Sequence, residues 1–464
     1  MDYDDDPRVH VMKGASPRRG ADYVLHWMQS SQRADDNAAL HLALLEANAR
    51  DLPVLSVFAL DDGYPSANER HFAFMLEGLA NAAERLEKLG VRLVGRRGSP
   101  PETVAALADR AALVVTDTAY LEPARGWRES LAEDLDVPLV RVESDVAVPV
   151  ELASNKREWA ARTIRPKIAK HLDDSLERVP RLEPARDSLA LDVEHDFDFT
   201  DPDRLLDSLS IERDVPRVKR FRGGTAEARA RLTGFVRALL DGYAENRAEA
   251  DRRTSSELSP YLHFGQIGIG EIVAKVRNAG EGIGTDVDAY LEELLCRREL
   301  ARNYTWFEKR YAKYRALPDW ARKTLAKHGD DERPHRYTRA ELDAAETHDP
   351  YWNAAMREMK HTGYMHNALR MYWGKKVLEW SNTPEYAFRT LLWLNDRYFI
   401  DGRDPSSYAN CAWVFGLHDR PWTEREIFGT VRYMNARGLE RKIDVEGYMR
   451  LVDELVAAEG IGEG

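Results

Sequence analysis

Several clusters in the chain have residue types and spacing that could do chemistry. In TSSELSPYLHFGQI (254–267) the hydroxyls of Ser255, Ser256 and Ser259 precede Pro260 and the start of a helix. Hydroxyls and free N–H groups at a helix N-terminus seat a phosphate, and the same residues also read as a plain capping box. The stretch TGYMHNALRMYWGKKVLEW (362–380) reads as one helix in which Arg370 lies among apolar residues. An unpaired charge there is costly, so Arg370 calls for a carboxylate, and Asp401 or Asp404 of LNDRYFIDGRD (394–404) can supply it. Such a pair beside Asn367 and Asn395 offers donors and acceptors suited to a flat heteroaromatic ring. Trp373 and Trp380 share one face of this helix, roughly 10 Å apart along its axis. That spacing serves core packing, and it also suits a stepwise electron path. In EELLCRREL (292–300), Glu293 and Arg297 stand at i,i+4 and read as a surface ion pair.

The elements that must position these residues fall into two halves. Apolar runs at 23–28, 54–60, 91–95, 112–117 and 138–143 alternate with amphipathic stretches. Strands apolar on both faces and separated by helices imply a parallel sheet in a doubly wound, Rossmann-like α/β domain. No GxGxxG follows the first strand, and GRRG at 95–98 is too weak a match for a dinucleotide site. The basic segment 153–168 reads as a helix closing this half. The expected boundaries are an α/β domain over 20–175, a linker rich in Asp, Glu and Pro over 176–215, and a mainly α-helical domain over 216–464. Helix caps recur in the second half, at 254–257 and 347–350. Eight of the eleven tryptophans lie after residue 300, which places the chemistry there, although any one of them also reads as core.

At 464 residues the chain is long enough for two or three domains, and 43% hydrophobic with 31% charged residues is a soluble globular composition. No run of about 18 uncharged apolar residues appears, and the acidic start MDYDDDPRVH is unlike a secretion signal, so a cytoplasmic protein away from membranes is expected. Cys296 and Cys411 form no CxxC pair and no disulfide framework, and no metal site is expected. A net charge of −12 excludes a protein that coats nucleic acid indiscriminately. Between Arg420 and Lys442, however, six basic residues face three acidic ones, a local reversal that is either a solvated face or a grip on phosphates.

Seven ordered blocks carry a resemblance: MQSSQRADDNAAL (28–40), ASNKREWAARTIRPKI (153–168), SPYLHFGQI (259–267), THDPYWNAAMREM (347–359), MHNALRMYWGKKVLEW (365–380), LNDRYFIDGRDP (394–405) and HDRPWTEREIFGTVRYMN (418–435). Together they resemble the class II branch of the cyclobutane pyrimidine dimer photolyases, from about residue 20 onward. The resemblance implies a light-dependent DNA repair enzyme that acts as a monomer on double-stranded DNA containing such dimers. Reduced FAD, bound in the helical domain, would give one electron to a flipped-out dimer, which splits into two pyrimidines. An antenna pigment, a deazaflavin or a folate, is implied for the α/β domain, and no motif identifies it.

Carried over position by position, the resemblance implies that Tyr243, Ser255, Ser256 and Ser259 hold the flavin's phosphates and ribityl chain. Arg297, Asn367, Arg370 and Asp401 would surround the rest of the cofactor, and Asn395 would face the flavin N5 and stabilise its reduced form. Glu293 matches an acid that hydrogen-bonds the dimer, with burial and a raised pKa expected of it, while Met371 and Trp413 match residues that contact the dimer. Trp373, Trp352 and Trp380, in that order outward to the surface, match a tryptophan triad that reduces the flavin under light. Arg432, Arg437, Arg441 and Lys442 would grip phosphates and fill the space left by the flipped bases. Cys296, followed by Arg297, stands where many photolyases outside class II carry a stacking tryptophan, which leaves Trp413 with Trp422 to supply the apolar contact.

Two other light-driven readings share the scaffold. A cryptochrome-like sensor would bind FAD without repairing DNA, and the presence of Glu293, Met371 and Trp413 favours repair. A six-four photoproduct enzyme would need histidines placed for proton transfer, and His366 is the one obvious histidine in the core motifs. A light-independent flavoprotein or a structural helical protein accounts for the composition but not for the ordered blocks.

Overall fold

In the computed structural model, residues 6–176 and 179–460 are described. The acidic start at 1–5 and residues 177–178 of the expected linker therefore lie outside the described residues. Six strands, β1 (Val9–Lys13), β2 (Tyr23–Trp27), β3 (Val54–Leu60), β4 (Arg92–Arg97), β5 (Ala111–Asp117) and β6 (Leu139–Val142), form one sheet in the order β1-β6-β5-β2-β3-β4. The five inner-running strands pair in parallel and β1 joins antiparallel at the edge of β6. β2, β3 and β5 are buried throughout, as their two apolar faces require of strands covered by helices on both sides. The sequence reading missed β1, because a half-buried edge strand with His10 in it lacks that uniform apolar run. GRRG proves to be the end of β4 with Gly98 just beyond it, so it forms no phosphate loop.

The helix Glu69–Lys88 shows why these segments become helical. Phe72, Leu76, Leu79 and Leu86 recur at three- and four-residue spacing and are buried, and Asn68 with His71 forms a capping box at its start. The basic segment 153–168 differs from expectation: residues 154–160 are not helical, and the helix runs Ala161–Ser175. The expected linker is more than a connection. Its Ser188 Oγ accepts the Arg92 N–H at 2.7 Å, its Asp196 N–H donates to the Gly95 carbonyl at 2.9 Å, and Phe199, Leu205 and Leu206 join the core under the sheet. It thereby covers the β4 edge, which would otherwise expose unpaired backbone groups.

Beyond it the chain is helical, around a core that holds Trp352, Tyr372, Trp373, Trp380, Phe388 and Phe415. The two halves meet through the loop after β2. Asp117, at the end of β5, accepts the N–H groups of Gln29, Ser30 and Ser31 at 2.9, 2.7 and 2.8 Å, and its second oxygen pairs with buried Arg128. From the loop so held, Ser31 Oγ and Arg33 both bond Asp145 at 2.6 Å, and Arg33 reaches the carbonyl of Gly265 at 2.9 Å. Gly265 has φ +63°, and a Cβ there would lie 2.1 Å from the Ser30 carbonyl, so only glycine lets the helical half close on the loop.

Replacing Asp117 with Ala leaves Arg128 buried without its partner and frees three N–H groups. Breaking a buried pair from one side costs about 3 kcal/mol or more. Denaturant titration of Asp117→Ala is expected to show a loss of that size, and a midpoint equal to wild type would contradict the central role given to this carboxylate.

Candidate active site

Left-handed backbone at Arg253 (φ 41°) and Glu257 (φ 52°) brackets Thr254, Ser255 and Ser256. The hydroxyls inside this turn meet tyrosines: Ser255 Oγ and the Tyr364 hydroxyl share a hydrogen bond of 2.9 Å, and the Tyr290 hydroxyl donates to Ser256 Oγ at 3.1 Å. The capping-box reading fails here. The next helix, Ser259–His263, starts from Leu258 with no side-chain cap, because the turn at Glu257 carries Thr254 and Ser255 away from its first N–H groups. Tyr243 is buried against Tyr290, ring centroids 5.4 Å apart, which sets it on the same wall as Ser256.

The stretch 362–380 is two helical ends rather than one helix. Pro350–Thr362 stops at Gly363, which is left-handed with φ +69°, and Asn367–Trp380 begins after His366, whose ring accepts the Ala368 N–H at 3.3 Å. Asn367 thus opens the second helix with its side chain exposed. Three residues on, Arg370 lies bidentate on Asp401 at 3.1 and 3.2 Å, donates to the Met365 carbonyl, and stacks 3.9 Å over the Phe399 ring. Asp404 is engaged elsewhere, 3.3 Å from Arg302 and 3.6 Å from His263. Buried Asn395 donates to Asp396 Oδ1 at 2.9 Å, which fixes its amide plane. Phe399 also packs edge-on to Trp373 at 6.1 Å, so the Arg370–Asp401 pair and Trp373 share one aromatic neighbour.

The three tryptophans are contiguous. Trp352 Nε1 donates to the Trp373 carbonyl at 3.1 Å, and the Trp352 and Trp380 rings lie 5.7 Å apart, edge to face. Trp380 is buried rather than at the surface. Tyr337 at 5.4 Å and His348 at 5.2 Å cover its outer side.

Glu293 and Arg297 depart from expectation. A π-helical turn at Glu292–Arg297 adds a residue per turn and rotates the two apart, so no i,i+4 pair forms. Glu293 is 42% exposed and pairs with Arg247 at 2.9 Å instead of being buried. Arg297 is 54% exposed and pairs with Glu292 at 3.2 Å. Met371 is half-buried beside Arg370. Trp413, also half-buried, has the Lys375 ammonium 5.0 Å and the Arg432 guanidinium 5.6 Å from its ring. Arg432 lies 4.1 Å over Trp422, which is 39% exposed, and pairs with Asp419 at 2.9 Å. Arg437, Arg441 and Lys442 are exposed and, among the described residues, pair with no carboxylate.

Sequence reasoning missed several of the groups that order this site. Buried Lys375, whose amine burial pushes down to about 7, donates to the Val414 carbonyl at 2.5 Å. The argument that singled out Arg370 in an apolar helix would have found it as well. Glu358 had no such signal. It accepts the Tyr448 hydroxyl at 2.7 Å and the N–H of His366 at the start of the Asn367–Trp380 helix, and burial pushes its carboxyl up to about 7. A further feature lies between the halves, a cavity of about 140 Å³ lined by Gln32, Phe58, Tyr64, Trp127, Phe264 and Arg403 among others. Among the described residues no cluster of His, Cys, Asp or Glu could hold a metal, and no helix is long and apolar enough to cross a membrane.

Because the folded carboxyl of Glu358 binds its proton up to about pH 7 and the unfolded one only to about 4.5, the folded state holds more protons in that window. Stability therefore falls as pH rises through it, by up to about 1.4 kcal/mol per unit. Glu358→Gln is expected to remove that slope in denaturation curves taken across the window, and a parallel slope in both proteins would refute the burial argument.

Comparison with known proteins gives a consistent picture. The DNA photolyase family profile matches residues 24–185. The chain is 43% identical to the deoxyribodipyrimidine photo-lyase of Methanothermobacter thermautotrophicus, over 95% of this chain and 97% of that one. It is 36% identical to the protein of the same name from Potorous tridactylus, over 92% and 81%. A Synechocystis cryptochrome structure superposes with a TM-score of 0.71 at 20% identity, covering 94% of this chain and 89% of that one.

Proposed function

The chain belongs to the DNA photolyase family, and from that premise we propose that it is a class II cyclobutane pyrimidine dimer photolyase, a DNA repair lyase driven by light. The observation that carries the reading is the Arg370–Asp401 pair, which shares Phe399 with Trp373 of three contiguous tryptophans, together with the buried, fixed amide of Asn395. A cofactor that accepts electrons from a protein path and keeps a charged ring edge out of water needs these parts.

The donor set fits FAD. Ser255 and Ser256 would offer hydroxyls to a diphosphate, Asn367 opens a helix with its side chain exposed, and Asn395, Arg370 and Asp401 would offer fixed polar groups to a flat ring. When bound, FAD supplies light absorption and the single electron that opens the dimer's cyclobutane ring. The chain's own residues do the rest. Arg370 is held in place by Asp401, the Met365 carbonyl and Phe399, so its cation is preorganised beside an anionic ring. Asn395 is locked by Asp396, and its amide oxygen would be the group that accepts a hydrogen bond from the flavin N5. Trp373, Trp352 and Trp380 pass electrons inward, with Tyr337 and His348 shielding the last ring from water.

A dimer in a duplex is out of reach of a buried flavin and must be flipped out, at less expense where pairing is already weak. Trp413 and Trp422, with Arg432 between them, form an aromatic and cationic wall for the extruded bases, and Met371 would contact the dimer. Glu293, released from Arg247, would hold the dimer through its acid form, whose O–H donates to a pyrimidine carbonyl. Arg437, Arg441 and Lys442 contact phosphates, a local basic face on a chain of net charge −12. We assign the α/β domain to 20–175 together with the edge strand β1 that pairs with β6, the covering linker to 176–215 and the flavin domain to 216–464, acting together as a monomer. The cavity between the halves holds the antenna pigment.

Illumination of the reduced, flavin-loaded protein with DNA carrying cyclobutane dimers is expected to restore the pyrimidines. Glu293→Ala should lower the yield at unchanged flavin content. No light-dependent repair by the wild type would sink the proposal and favour the sensor reading. Trp352→Phe keeps the packing but breaks the relay, so photoreduction followed by absorbance should slow at least tenfold; an unchanged rate would return Trp352 to a core role.

A further inference from the structure

Lys375 has no exposed surface, and a lysine is rarely buried so completely without a carboxylate beside it. Among the described residues its ammonium makes one hydrogen bond, to the Val414 carbonyl at 2.5 Å, and no ion pair. The next residue behaves as lysines usually do, since Lys376 pairs with Glu379 at 2.7 Å. In place of a carboxylate, the Lys375 ammonium lies over the Trp413 ring, 5.0 Å from its centroid. An ammonium has three N–H groups, and an aromatic face can take the charge of those that the Val414 carbonyl leaves.

Helix packing brings the two side chains together. Lys375 lies in the helix Asn367–Trp380, and Trp413 and Val414 end the helix Pro405–Val414. Gly374 lets these helices approach closely, because a Cβ there would lie 2.6 Å from Val414 Cγ2. The last carbonyls of a helix have no partner within it and carry the negative end of its dipole, so the ammonium sits where a cation is favoured. A second cation, half-buried Arg432, lies 5.6 Å from the same ring and 4.1 Å over Trp422, and Asp419 holds it at 2.9 Å. Trp413 therefore cannot turn away without leaving a buried ammonium with a single acceptor, and such a charge is costly.

We propose that Lys375 is a positioning residue for the damaged bases: its buried ammonium fixes the Trp413 ring, and the ring so fixed distinguishes an extruded dimer from intact DNA. The inference rests on the reading of Trp413 as a wall of the dimer pocket and adds the group that holds that wall. Contacts of Arg437, Arg441 and Lys442 with phosphates do not pass through Trp413, so intact DNA binds equally well with or without Lys375. Burial pushes the Lys375 amine down to about 7; of the charged groups that act on it, Asp419 opposes that push and Arg432 adds to it. The cation is thus present below that pH and lost as pH rises through it. A neutral amine still donates to Val414 but no longer binds the ring by its charge.

The test measures binding of the flavin-loaded full chain, in the dark, to labelled duplexes that carry one cyclobutane dimer or none, at several pH values on either side of about 7. Lys375→Met keeps the length and apolar packing of the side chain and is expected to weaken the dimer duplex about tenfold while leaving the intact duplex unchanged. Lys375→Arg should restore part of the loss. Both wild type and Lys375→Met keep Glu293, so its titration cancels from the ratio of their affinities, and that ratio should shrink toward one as pH rises through about 7. Flavin content and circular dichroism report whether each variant is folded. Should Lys375→Met not fold, Trp413→Leu gives the same reading: its dimer affinity should be low and lack the wild-type fall with pH. A Lys375→Met protein that keeps the preference for the dimer, or that weakens both duplexes alike, overturns the inference and leaves the pocket reading in place. A ratio constant with pH, or a Trp413→Leu profile as steep as wild type, overturns it as well. A wild type with no preference for the dimer overturns both.

Discussion

One carboxylate, Asp117, holds the architecture together. It gathers three consecutive N–H groups of the loop after β2 and neutralises Arg128, the carboxylate and the guanidinium both being buried. The loop so fixed carries Ser31 and Arg33 onto Asp145 and onto the backbone of Gly265, and thereby sets the helical half against the sheet. Gln29 and Gln32, on the same loop, line the cavity between the halves. The sheet's carboxyl end, where ligands of open α/β folds sit, is thus also the joint of the molecule.

The helical half applies the same physics to several charges at once. Arg370 takes Asp401, Arg302 takes Asp404, Glu358 takes Tyr448 and the N–H of His366, and Lys375 takes the Val414 carbonyl. Each pairing fixes the start or face of a helix that borders the proposed flavin site. Arg403 differs: among the described residues its buried guanidinium makes no hydrogen bond or ion pair.

Much of this was legible in the chain itself. β2, β3 and β5 are buried throughout and β6 nearly so, and their apolar runs, with that of the edge strand β4, point to a parallel sheet. β1 did not, since an antiparallel edge strand need be apolar on only part of one face. Arg370 was legible because a cation amid apolar helix residues demands a partner. The helix break at Gly363 was written in the sequence as a glycine but hidden by the apolar periodicity that runs on across it. The π-helical turn at Glu292–Arg297 was not legible, because its extra residue is imposed by packing against neighbouring helices and leaves no pattern of its own.

The sequence by itself determined the fold class, because periodicity is a local property, and residue chemistry alone singled out the side chains proposed to meet a flavin and a damaged base. Partner choice belonged to the tertiary structure alone. Asp401 rather than Asp404 meets Arg370, Glu293 turns to Arg247 rather than Arg297, Ser255 and Ser256 meet tyrosines rather than cap a helix, and Arg403 meets nothing. Each of these depends on distances of a few ångströms between segments far apart in the chain. Only the packed arrangement of helices sets such distances, and at low dielectric they decide which of two chemically equal partners a buried charge will take.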